Sequence, residues 1–167
     1  MDDALSMAFP RLGASLRRTA IADVPTPVTS HTIGLPSGTR NIMVKHDEAT
    51  NDVYGGNKVR KLEYLLQRAS DRKAHRIATF GAVGSNHALA TAIHATRLGF
   101  DCTCFLSHQK ATPNIARTLN MHRELGTEIV HWGGSADSRT LYRKYLQHRN
   151  TWVIPLGGTC WLGAVGF

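Results

Sequence analysis

A lysine set directly behind paired glycines, with a second cation one helical turn on, is the residue here best placed for covalent chemistry. The stretch Gly55-Gly56-Asn57-Lys58-Val59-Arg60-Lys61-Leu62-Glu63 opens with a low-steric turn. Leu62, Leu65, Leu66 and Ala69 then recur at helical spacing, which predicts a helix with Lys58 in its first turn. Counting back four from Leu62 puts Lys58 on an extension of the apolar stripe, so its amine is expected to point toward the protein. The positive end of the helix, the nearby Lys61 and removal from water each disfavour the ammonium form. A neutral amine is a nucleophile, which a Schiff-base lysine requires. The same pattern also suits a first-turn lysine whose tail runs out to solvent.

A second candidate is the loop Gly81-Ala82-Val83-Gly84-Ser85-Asn86-His87, which follows a short apolar run, Ile77 to Phe80. Ser85 suits an N-cap, which leaves the amides of Asn86 and His87 free to receive an anion such as a carboxylate. The loop lacks the G-x-G start of a dinucleotide site, and there is no Walker sequence. Plain capping is the competing role for Ser85.

These loops need a scaffold, and the pattern from residue 71 onward supplies one. Strands are expected at 77–80, 100–106, 128–132 and 152–156, with helices at 86–98, 113–125 and 136–148. Gly99 and Gly126 follow helix ends and Pro113 begins one. The alternation implies βαβ units, a parallel sheet with right-handed crossovers and ligands beyond the strand carboxyl ends. Upstream, Val24-Pro25-Thr26-Pro27-Val28 is forced extended, and Asn41 to His46 reads as a strand bounded by Gly34 to Gly38. Lys45, His46 and Asp47 end that strand near the glycine turn, as site neighbours or as solvated charges.

At 167 residues the chain can bury one real core. No apolar run is long enough to span a membrane and no secretory signal is legible, so a cytoplasmic protein without a membrane role is expected. Cys102, Cys104 and Cys160 form neither a disulfide framework nor a zinc pattern; Cys102 and Cys104 read as core, and no metal site is expected. His94, His108, His122 and His131 also lack ligand spacing and read as surface or satisfied core residues. The net charge of +8 could attract anions, but the basic residues are scattered pairs without aromatic platforms, which argues against nucleic acid as partner.

The two motifs together resemble the pyridoxal-phosphate enzymes of the 1-aminocyclopropane-1-carboxylate deaminase and D-cysteine desulfhydrase family, a branch of the tryptophan-synthase β-like fold. Pro25-Thr26-Pro27-Val28, Val44-Lys45-His46-Asp47 and Ile154-Pro155-Leu156-Gly157-Gly158 extend the likeness over most of the chain. The resemblance implies a three-layer α/β fold with a four-stranded parallel sheet and a division into three parts. Residues 1–55 would begin a large cofactor domain, 56–154 form the small α/β domain and 155–167 return toward the large domain. It implies pyridoxal 5'-phosphate as cofactor and a small amino acid as substrate. Lys58 would hold the cofactor and move the substrate proton, and Asn86 would bond the cofactor's phenolic oxygen. Asn57 and Lys61 would lie near the cofactor, Lys61 toward its phosphate. Ser85, Asn86 and His87 would receive the substrate carboxylate, with Ser85 also sharing in proton transfer.

Family members more often carry glutamine at Gly84, arginine at Leu89 and Arg-Asp-Asp at His46-Asp47-Glu48, which leaves ring opening and thiol elimination both open. They are also longer, and their phosphate cradle and ring-nitrogen partner come from a later half. An incomplete site is therefore expected, finished by a homodimer or a complementing chain. The alternative is a non-catalytic fragment or interaction protein that keeps the small-domain fold.

Overall fold

A computed structural model describes residues 4–133, 140, 143 and 150–166. Short helices α1 (Ala4–Ala8) and α2 (Pro10–Ser15) lead to a hairpin of β1 (Val28–Leu35) and β2 (Gly38–Lys45). The strands pair antiparallel from Val28 opposite Lys45 to Leu35 opposite Gly38, so Pro36 and Ser37 form the loop. The sequence predicts a strand only over 41–46. β1 carries no such signal, because both faces of the ribbon are exposed, with only Ile33 and Val44 partly covered, so no alternation of apolar and polar residues marks it.

A 3-10 turn (Asp47–Thr50) and the glycine turn feed α3 (Lys58–Asp71). Then follow β3 (Arg76–Ala82), α4 (Asn86–Arg97), β4 (Asp101–Ser107), α5 (Pro113–Glu124), β5 (Glu128–His131) and β6 (Thr151–Ile154). A second 3-10 turn (Leu156–Gly158) and α6 (Trp161–Val165) complete the described order. The helix expected at 136–148 lies outside the described residues, apart from the single positions 140 and 143.

β3 to β6 make the expected parallel sheet in the order β5-β4-β3-β6. The chain steps outward from β3 through β4 to β5 and then returns to the far side of β3. The strand order thus reverses between β3 and β6, and the crevice beyond their carboxyl ends is where open α/β sheets bind ligands.

Leu62, Leu65 and Leu66 of α3 pack with Ile77, Ala90, Ala95 and Ile154 in the largest core cluster. Each fully buried leucine contributes about 2 kcal/mol, which makes α3 an integral part of the sheet's covering layer. Ala88 and Ala92 pack on Cys102, Cys104 and Leu106, so both cysteines are core as expected. Ala78, Phe80 and Phe105 form a third cluster, with Phe80 stacked on Phe105 at 4.9 Å between ring centroids.

Glu63, near the start of the same helix, is buried with both oxygens bonded. Oε2 accepts from Arg18 Nη1 at 2.7 Å, and Oε1 accepts from the amides of Ile21 and Ala22 at 2.8 Å each. It therefore ties residues 18–22 to α3.

Candidate active site

The glycine turn has two distinct steric requirements. Gly56 sits at φ +115°, a conformation L side chains rarely adopt. A Cβ on Gly55 would lie 1.8 Å from the Glu48 carbonyl oxygen. The Gly56 amide donates to Asp47 O at 2.8 Å and to Thr50 Oγ1 at 2.9 Å, which locks the turn against the preceding 3-10 segment. Asn57 occupies the N-cap position of α3 without capping it. Its Oδ1 instead accepts from Lys58 Nζ at 3.0 Å, holding the amine part-buried.

At the start of α4, Ser85 is the expected N-cap, and its Oγ accepts from the Ala88 amide at 3.2 Å. The amides of Asn86 and His87 have no acceptor among the described residues, as the geometry of a helix start leads one to expect. Asn86 is exposed and accepts from the Tyr54 hydroxyl through Oδ1 at 3.2 Å.

His87 is buried at the reversal point of the sheet. Its Nε2 lies 3.1 Å from Thr79 Oγ1, and that hydroxyl donates to the carbonyl of Ile154, the residue opposite Thr79 on β6. His87 Nδ1 is buried and has no bonding partner among the described residues. Burial lowers the ring's pKa to about 4, helped by the charges of Lys58 and, to a smaller extent, Lys61; the Pro155 carbonyl opposes the shift without reaching bonding geometry. Gly158 closes this corner: a Cβ there would meet Leu65 Cδ1 at 3.2 Å, His87 Cε1 at 3.5 Å and Lys61 Cδ at 3.6 Å.

Lys58, Lys61 and His87 therefore converge, with Asn57 on the amine and Ser85 and Asn86 on the adjoining helix start. Lys45 and Asp47 group elsewhere. Asp47 pairs with Arg60 at 2.6 Å and Lys45 at 3.3 Å, and Lys45 also donates to Thr26, so the strand end is clamped to α3. His46 pairs with the exposed Glu48 at 2.6 Å. Among the other histidines, His94 Nε2 lies 3.1 Å from the Tyr54 carbonyl oxygen. His122 departs from the expectation of a satisfied core residue: it is fully buried with neither ring nitrogen bonded among the described residues, and burial lowers its pKa to about 4.

Two neighbours of the site were not singled out in the sequence. Tyr54 immediately precedes the glycine pair, and only the fold brings it to Asn86. Gln109, in the loop after β4, accepts from the Gly84 amide through Oε1 at 3.1 Å. A Cβ on Gly84 would come within 3.1 Å of that oxygen and of Ile115 Cγ1, so Gln109 occupies the space a larger residue at 84 would need.

Residues 20–164 match the family described as pyridoxal-phosphate dependent enzyme. The chain belongs to that family. It is 32% identical over 162 residues to a bifunctional D-cysteine desulfhydrase/1-aminocyclopropane-1-carboxylate deaminase of Arabidopsis thaliana, covering 89% of this chain and 40% of the relative. It is 39% identical over 127 residues to a nocardicin C-9' epimerase of Nocardia uniformis, covering 71% of this chain and 39% of that one. A crystal structure of an ACC deaminase homologue superposes with a TM-score of 0.75 at 28% identity, covering 93% of this chain and 49% of the other. The chain thus spans about 40% of the length of these curated relatives.

The residues present fit part of what a pyridoxal-phosphate dependent enzyme asks of its protein. A half-buried amine, an amide side chain and two backbone N–H groups without an acceptor among the described residues suit an anionic, oxygen-rich group. Among the described residues, no helix is long and apolar enough to cross a membrane.

Proposed function

We propose that this chain supplies the lysine side of a pyridoxal-phosphate site acting on a small amino acid, of the 1-aminocyclopropane-1-carboxylate or D-cysteine kind. Residues 56–154 act in it as the small domain, residues 1–55 as the start of a cofactor domain and 155–167 as the return segment. The observation that carries this reading is the meeting of the lysine turn with the start of α4, where a Cβ on Gly158 would lie 3.5 Å from His87 Cε1 and 3.6 Å from Lys61 Cδ and the Lys58 charge also bears on the ring.

When bound, the pyridoxal group supplies an electron sink for the bond broken next to the amino group. Lys58 is the covalent anchor and the base that moves the substrate proton, with Asn57 holding its amine in place beforehand. Asn86 donates to the cofactor's phenolic oxygen, and Lys61 faces its phosphate. The Ser85, Asn86 and His87 start of α4 receives the substrate carboxylate, where free amides and the helix dipole favour an acid. Ser85 shares in the proton transfer.

Incubation with pyridoxal phosphate, followed by borohydride reduction and peptide mapping, tests the reading. Label concentrated on Lys58 and lost in Lys58→Ala supports it. Label spread evenly over the lysines sinks it.

A second reading, an interaction protein that keeps the fold without catalysis, is favoured by the exposure of the β1–β2 ribbon and its Met43, 70% exposed, and of Trp161, 63% exposed. A lone two-stranded ribbon is marginal in water. Even labelling of the lysines is the result that favours this second reading.

A further inference from the structure

Tyr54 meets α4 at two points eight residues apart. Its carbonyl oxygen lies 3.1 Å from His94 Nε2, and its hydroxyl donates to Asn86 Oδ1 at 3.2 Å. Between these points the residue has little freedom. Its amide donates to Asn51 Oδ1 at 3.2 Å, Asn51 Nδ2 in turn donates to Ile21 O at 3.0 Å, and its ring packs against the main core cluster. A 3.2 Å bond to an exposed side chain is weak when both partners must be ordered to make it. Here the donor is already ordered, so most of the entropic cost has been met by contacts that exist for other reasons.

We propose that Tyr54 is a positioning residue that fixes which edge of the Asn86 amide faces the site. With Oδ1 taken by the Tyr54 hydroxyl, the Nδ2 protons are the edge left for a ligand, so Asn86 selects an acceptor oxygen there. A phenolate or carboxylate oxygen satisfies it, and a ligand presenting an N–H or O–H donor does not. Burial raises the Tyr54 pKa, which keeps the phenol in its donating form through the neutral range. His94 acts one step further back, by holding the carbonyl from which the Tyr54 ring is aimed. The inference rests on the reading of Asn86 as the donor to the cofactor's phenolic oxygen.

The test uses the full chain labelled with 15N. In Tyr54→Phe, which keeps the ring, the Asn86 side-chain NH2 signals should move and their heteronuclear NOE should fall, while backbone signals of α3 and β3 stay in place. His94→Leu should loosen the same NH2 group without touching it, and His94→Gln, which retains an N–H donor, should restore part of the order. Unchanged Asn86 side-chain signals in Tyr54→Phe overturn the proposal. A separate arm measures pyridoxal-phosphate labelling of Lys58, expected to fall about five-fold in Tyr54→Phe, as loss of one hydrogen bond implies. If Tyr54→Phe frees the Asn86 side chain but Asn86→Ala leaves labelling unchanged, the positioning stands and the cofactor role of Asn86 fails.

Discussion

The Thr79 hydroxyl joins His87 to β6. Its Oγ1 lies 3.1 Å from His87 Nε2 and 3.1 Å from the Ile154 carbonyl oxygen, to which it donates. His87 Nδ1, without a bonding partner among the described residues, lies at the reversal point of the sheet on a ring kept neutral by burial and by the charges of Lys58 and Lys61. One threonine thus coordinates the carboxyl ends of β3 and β6 with the start of α4.

This arrangement makes stability depend on acid. The His87 pKa falls from 6.5 to about 4 on folding, so between those values the unfolded chain binds more protons than the folded one. The stabilising contribution is complete above pH 6.5 and is lost as pH falls toward 4, by about 3 kcal/mol. His122 is shifted to the same value by burial and adds a comparable loss. Urea midpoints measured from pH 7 to pH 4.5 should fall steeply, and His122→Leu should flatten the slope by roughly half. An unchanged slope in that variant would mean that His122 does not titrate as its burial implies.

Glu63 reads in the sequence as one more member of the lysine motif, yet its work is structural. Removing the carboxylate takes the 2.7 Å partner from the partly buried Arg18 and the acceptor from the amides of Ile21 and Ala22. Glu63→Ala should cost about 2–3 kcal/mol by chemical denaturation, since a charge-assisted pair and two amide bonds to a buried carboxylate are lost together. Residues 18–22 should at the same time become sensitive to protease. A loss under about 1 kcal/mol would show that these bonds are exchanged for water at no cost.

What the sequence made legible was whatever repeats along the chain. The spacing of Leu62, Leu65, Leu66 and Ala69 gave α3, the strand and helix alternation gave the parallel sheet, and Ser85 was readable as a cap because capping is local. Strand β1 was not legible, because a ribbon exposed on both faces has no period-two signal. Tyr54 at Asn86 and Gln109 at Gly84 were not legible either, since each pair is joined only by the packing of distant elements. The same holds for Glu63, whose partners lie more than forty residues upstream in the chain.

Gly55 offers a purely steric prediction. Its neighbour Gly56 is required for its backbone angle, but Gly55 is required because the Glu48 carbonyl passes where a Cβ would be. Backbone cannot swing aside as a side-chain end can, so Gly55→Ala must displace the 3-10 segment or the lysine turn. A loss of about 1–3 kcal/mol is expected. Labelling of Lys58 by pyridoxal phosphate should decline with it, because the displaced turn carries the amine. Normal stability together with normal labelling would show that the turn is more yielding than its contacts imply.

Two of the duties assigned to Ser85, capping and receiving the carboxylate, can be separated by a single substitution. As a cap it satisfies the Ala88 amide, and Ser85→Ala should cost about 1 kcal/mol in denaturant unfolding. Ser85→Asp keeps an acceptor at the cap and adds a favourable charge at the helix start, so stability should be retained or rise by about 0.5 kcal/mol. The same carboxylate, however, stands where the substrate's acid is received. Two like charges about 4 Å apart near a protein surface repel by several kcal/mol at most, so affinity for a small amino acid should fall at least about tenfold. Melting curves and calorimetric titration of the two variants read these effects independently. If Ser85→Asp is as stable as the parent and binds the amino acid equally well, the carboxylate is received elsewhere.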